Sequence, residues 1–449
     1  MRRASLCALL AGLLLGACGG ATSRPAAPMT SRSDSAHAFD AIAERYVRLA
    51  LAVGEVDDAF VDAFYGPAEW KTEAHAAGKR PLPELRAAAE ELRRALEPIE
   101  LGVGDAMAAA RKRYLAGQLR AMLARLDLLA GVKRPFDEES KLLYDAVAPR
   151  HDAAHFQKLL DALAAELPGD GPLIERYEAF QKAFIIPPER LDAVFGAAIA
   201  ACRERTAKHL ALPAGESFRV EYVTGKPWSG YNWYQGGYAS LIQVNTELPI
   251  YIDRAIDLAA HEGYPGHHVY NALLEQHLVR ERGFVEFSLY PLFSPQSLIA
   301  EGSANFGVEV VFPGEERARF ERDVLYPLAG LDPALAERHE RVRKLQKGLA
   351  YAGNEAARRY LDGEIAAPEA VEWLMRYALS PRPRAEQRVR FFDAYRSYVI
   401  NYNLGEDMVR AWVEAQGGTA LNPERRWQLF AELLASPRLP ADLGPFPTR

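Results

Sequence analysis

Cysteine is scarce in this chain. There are 3 in 449 residues, and Cys7 and Cys18 both fall within the first eighteen. Only Cys202 remains in the body, which excludes an internal disulfide in a processed monomer. It sits in an apolar helical stretch and reads as a core residue. Excess basic charge is also missing. The formal net charge is -6, and Lys and Arg are spread without a basic block, which argues against a nucleic-acid partner. Past the N-terminus no apolar run is long enough to cross a bilayer, and no tandem repeat is visible. What remains is ordinary globular material, 49% hydrophobic and 25% charged, ample for a large core.

The N-terminus reads as a targeting segment. Arg2-Arg3 precede a short apolar run, Leu6 to Leu15, followed by Gly16-Ala17-Cys18-Gly19. That pattern predicts a secretory signal over 1–18. Leu15-Gly16-Ala17-Cys18 resembles a bacterial lipobox, which implies a lipid on Cys18 as the only link to a membrane. Gly19 after it, by resemblance to lipoproteins generally, implies the outer membrane, facing the periplasm. Residues 19–35 are small, polar and Pro-containing and predict a flexible tether.

From 36 to 212 the periodicity is almost wholly helical, and from 213 to 449 it is mixed. The two regions are expected to form one catalytic unit. Residues 217–225 and 239–245 alternate and carry β-branched and aromatic residues, so both read as strands. Between them lies an aromatic, Gly-rich loop from Trp228 to Tyr238. The fold class predicted is mainly α with a small β-sheet (α+β). Helices are expected over 296–312, 384–402 and 405–417, among others, and an extended Pro-rich tail after 436.

The chemistry concentrates at His261-Glu262-Gly263-Tyr264-Pro265-Gly266-His267-His268. Ile252, Ala255, Ile256, Ala259 and Ala260 recur at helix spacing, so a half-buried helix carries an imidazole and a carboxylate inward. Such groups are costly to bury unless they are paired or bind a metal. In zinc hydrolases two histidines four apart on one helix hold the ion, with the intervening Glu as general base. Here Pro265 occupies the second position and disfavours helix at Tyr264. A bulge absorbing two residues would bring His267 to the second ligand position, and His268 would need three; His267 is preferred. Glu301, 40 residues after His261 on apolar ground, is the third candidate ligand, with Glu309 second in line as a ligand or as a partner for a histidine. Asp257, one turn before His261, could orient its imidazole, or form an ordinary salt bridge.

His-Glu-x-x-Pro-Gly-His-His resembles the signature of DUF885, a family of bacterial proteins of unknown function, many of them lipoproteins, grouped with gluzincin-like metallopeptidases. Ala300-Glu301-Gly302-Ser303-Ala304-Asn305-Phe306 is similar to that family's Glu-Gly-Trp-Ala-x-Tyr, with Ser303 for the Trp and Phe306 for the Tyr. Asn401-Tyr402-Asn403-Leu404-Gly405 is a weaker match to its Tyr-x-x-Gly. The resemblance implies a gluzincin-like architecture and a peptide substrate, for which 239–245 would supply a sheet edge; the other reading of 239–245 is an ordinary buried strand in a small sheet. It also implies Tyr402 as a donor to the oxyanion, with Tyr398 one turn earlier as the alternative.

The expected mechanism has His261, His267 and Glu301 holding one Zn2+ and Glu262 acting as general base and then acid. Two other readings stand beside it. One is a non-catalytic envelope lipoprotein that keeps the fold, favoured by the altered second motif. The other is a metal-dependent amidohydrolase of non-peptide substrates.

Overall fold

The computed structural model describes residues 34–101, 105–226 and 228–444. The signal segment with Cys18, and nearly all of the tether, lie outside these. The chain is mainly helical with a little sheet, the predicted α+β class. No described helix is long and apolar enough to cross a membrane. One buried core runs through both halves of the chain, from Phe39 in the first helix to Phe430 near the end. Buried polar contacts also join the halves, such as Arg111 Nε to Glu286 Oε1 at 2.6 Å.

Five strands occur among the described residues. β1 (Val61–Phe64) pairs antiparallel with β5 (Leu289–Pro291). The other sheet holds β2 (Ser217–Val223), β3 (Gly230–Gly236) and β4 (Ala239–Asn245) in the order β2-β4-β3. Two expectations are corrected here. The aromatic, Gly-rich stretch is not a loop: Gly230–Gly236 alternates inward Asn232 and Tyr234 with outward Trp233 and Gln235, so it pairs as a strand. And 239–245 is not a sheet edge. It lies between β2, parallel, and β3, antiparallel, so its backbone groups are used on both sides.

The metal-motif helix begins at Ile252 and buries Ile252, Ala255 and Ile256, as the periodicity predicts. At Ala259–Gly263 it widens into a π turn, with Tyr264 N–H donating to Ala259 O at 3.0 Å. The chain then reverses at Pro265-Gly266, and a new helix runs from His267 to Leu274. Gly266 is required at the reversal, because a Cβ there would fall 1.8 Å from the carbonyl oxygen of His261.

Two further helices complete the frame, Pro295–Val311 and Ile400–Ala415. The helix expected over 384–402 is broken instead at Arg396, where φ is 51°. Glu139 holds that break, accepting from Arg396 Nε at 2.7 Å and from Ser397 Oγ at 2.6 Å. The tail is not simply extended: Pro440–Leu443 forms a short helical turn, and Leu439 packs on Gly117.

Candidate metal centre

Three elements bring His261, His267 and Glu301 together. His261 lies on the π turn, His267 opens the next helix, and Glu301 sits two turns into Pro295–Val311. His261 Nε2 lies 3.1 Å from His267 Nε2. Glu301 Oε2 is 3.3 Å from the first and 3.6 Å from the second. A tetrahedral zinc with bonds of about 2.0–2.1 Å holds its ligand atoms roughly 3.3 Å apart, so the triangle has the right size. Among the described residues this is the group of His, Cys, Asp and Glu that could hold a metal ion.

The donor chemistry fits a cation as well. Glu301 Oε2 is buried and has no hydrogen-bond partner. Its other oxygen accepts from Tyr398 Oη at 2.8 Å, which orients the carboxylate. Burial opposes ionisation of Glu301, yet His267 and His261 hold its carboxyl well below the usual range. Burial also opposes charge on His267, but Glu301, Glu262 and Asp62 outweigh it and push that imidazole up to about 9.

Asn305 fixes the tautomer of His261. Its Oδ1 lies 2.8 Å from His261 Nδ1, and its Nδ2 donates to the carbonyl of Tyr402 at 2.7 Å. A backbone carbonyl only accepts, so the amide must turn its oxygen to the imidazole. Nδ1 then carries the proton and Nε2 offers a lone pair to the site. Sequence reasoning passed over Asn305, although it lies one turn after Glu301 and so shares its helix face.

Asp257, expected as a possible orienter, points elsewhere and accepts from Arg317 Nη1 at 2.7 Å. Glu309 pairs with Arg410 and Lys347, away from the histidines. His268 faces the sheet, not the ligand triangle. It is fully buried between Ser240 Oγ at 2.9 Å and Glu216 Oε2 at 3.0 Å, which ties the new helix to β4.

Glu262 is buried beside the ligands, under β3. Asn232 Nδ2 donates to its carbonyl at 2.7 Å, and a Cβ at Gly230 would sit 3.2 Å from its Oε1. Its side chain makes no hydrogen bond among the described residues. Tyr402 is its electrostatic neighbour. Burial, Glu301 and Glu262 push the Tyr402 phenol far up, against the opposing Arg388, so it stays a donor. Its hydroxyl has no protein acceptor among the described residues, whereas that of Tyr398 is committed to Glu301.

No family model matches the chain, and no curated protein sequence matches it. The fold is similar to that of a candidate lipoprotein from Colwellia psychrerythraea, with a TM-score of 0.49 and 15% identity over 80% of this chain. The chain spans 65% of that protein's length. A candidate lipoprotein of unknown function from Shewanella oneidensis follows, with a TM-score of 0.41 and 11% identity over 81% of this chain and 76% of that one. The M32 carboxypeptidase from Deinococcus radiodurans R1 gives a TM-score of 0.38 and 13% identity over 91% of this chain and 97% of that one.

Proposed function

We propose that this protein is a zinc-dependent peptide hydrolase of the DUF885 type. The observation that carries the reading is the orphaned Glu301 Oε2 facing two imidazole Nε2 atoms at 3.3 and 3.6 Å. Three groups that can each give a lone pair to a metal, two imidazoles and a carboxylate, converge within one ion's reach. His261, His267 and Glu301 would hold the ion. When bound, it supplies Lewis acidity, polarising the scissile carbonyl and lowering the pKa of water.

The remaining work falls to side chains already in position. Glu262 accepts the proton of the attacking water and passes it to the leaving nitrogen. Tyr402 donates to the oxygen on which negative charge develops. The substrate backbone pairs with the outer edge of β3, which runs over Glu262 at Gly230 and Asn232.

The departures from the family motif do not touch this chemistry. Ser303 Oγ donates to the carbonyl of Ala300 at 3.1 Å, and Phe306 packs 6.1 Å from the Phe430 ring. That weighs against a non-catalytic role. The lipobox at Leu15-Gly16-Ala17-Cys18 supports a lipid-anchored protein of the bacterial envelope. Hydrolysis of a peptide library, with and without chelator, tests the reading; cleavage of small non-peptide amides alone would move the protein to the amidohydrolase class.

A further inference from the structure

Asp62 has no part in the scheme above, yet it faces the same space. It lies on β1, far from the metal motif in sequence, and is half-buried. The hydroxyl of Tyr231, on β3, donates to its Oδ1. Tyr231 in turn packs against two tryptophans, with ring centres 5.5 Å from Trp228 and 4.5 Å from Trp233. Its strand neighbour Asn232 donates to the carbonyl of Glu262, and a Cβ at Gly230 would sit 3.2 Å from Glu262 Oε1. Asp62 is thus held against β3, the strand proposed above to carry the substrate.

The charges around it do not balance. Burial pushes the Asp62 carboxyl up to about 6; Tyr231 and His267 oppose the rise, and Glu301 and Glu262 add to it. Asp62 is not in the ligand triangle. No Lys or Arg pairs with it among the described residues, although most buried carboxylates of this chain have such a partner, as Glu286 does in Arg111 and Asp57 in Arg125. A divalent ion in the ligand triangle would offset two of the three carboxylates, Glu301, Glu262 and Asp62, that act on one another here. One more positive charge would offset the third, and among the described residues no hydrogen bond reaches Asp62 Oδ2.

We propose that Asp62, fixed by Tyr231, forms a subsite for an ammonium group of the substrate. The aromatic wall suits the same guest, since rings attract cations over their faces. Two sources carry that chemistry, the free amino terminus of a peptide and a lysine side chain next to the cleaved bond. The inference rests on the hydrolase reading, but its test does not require turnover.

The experiment uses the zinc-loaded full chain carrying Glu262→Gln, which binds without cleaving. Affinities are measured by calorimetry for three matched peptides: free amino terminus, N-acetylated, and N-acetylated with lysine beside the scissile bond. A charge-assisted hydrogen bond predicts that one ammonium-bearing peptide binds about tenfold or more tighter than the neutral one. Which one does so identifies the source. Adding Asp62→Asn should bring the ratio close to one and leave the neutral peptide's affinity unchanged. Tyr231→Phe, which removes only the tether, should narrow the ratio in part. Equal binding of all three peptides, or an equal loss for all three in Asp62→Asn, overturns the subsite. If the preference holds while the wild type cleaves no peptide, the subsite stands and the hydrolase reading falls.

Discussion

Gly302 and Gly405 meet backbone to backbone where helices Pro295–Val311 and Ile400–Ala415 cross. A Cβ on Gly302 would fall 2.3 Å from the carbonyl carbon of Gly405. This approach sets Glu301 beside Tyr398 and Tyr402, so the glycines of two separate sequence motifs serve one contact. Gly302→Ala must push the helices apart. Overpacking against backbone is expected to cost about 1–3 kcal/mol or more, read as a lower midpoint in urea. Ser303→Ala, next to it, loses only one local hydrogen bond and should shift the midpoint far less. Equal shifts would show that the crossing is not tight.

Asn305 is expected to tune the ion rather than the fold. Removing its amide frees the tautomer of His261 and the tether to Tyr402. Asn305→Ala should weaken zinc about 10–100-fold in a competition titration with a chromophoric chelator, with the thermal midpoint of the metal-free protein changing little. Unchanged zinc affinity would remove Asn305 from the site.

The two adjacent histidines should separate cleanly. His267→Ala is predicted to abolish stoichiometric zinc binding and keep the fold. His268→Gln is predicted to keep zinc in whatever fraction folds, but to lower stability, because Glu216 loses its buried imidazole partner. The opposite pattern, by elemental analysis and thermal melts, would exchange their roles.

Acid should weaken the far end of the ligand helix. Burial raises the carboxyl of Glu309, but Lys347 and Arg410 outweigh it and bring it down to about 2. The folded pKa lies below the unfolded one, so this stabilisation is present above about pH 4.5 and fades as pH falls toward 2. Glu309→Gln should therefore be less stable than wild type near pH 6, and the two should converge in that acid window. The pair is partly exposed, so added salt should shrink the gap too. A gap that does not change with pH would assign the loss to packing.

Much of this was legible in the sequence because it is local. The helical spacing of Ile252, Ala255 and Ile256, the Pro265-Gly266 break and strand 239–245 all follow from nearest neighbours and periodicity. What escaped depends on pairing at a distance. Nothing near residue 239 tells that β2 and β3 flank β4, so the sequence could not separate an edge strand from a buried one. Asp257, one turn from His261, forms the salt bridge that was the plainer reading, but its partner Arg317 comes from another helix and could not be named. Asn305 was in plain view, but its role appears only when the carbonyl of Tyr402 fixes which way the amide turns. Asp62 comes from β1, and only the tertiary fold brings it to Tyr231.

The most direct test of the central claim is peptide hydrolysis by zinc-loaded Glu262→Gln beside zinc-loaded wild type. One zinc per chain in both, chelator-sensitive cleavage by the wild type, and a loss on the order of 10²–10⁴-fold in the variant is the predicted result. Cleavage by the variant at the wild-type rate, or wild-type cleavage that chelation leaves untouched, would contradict it.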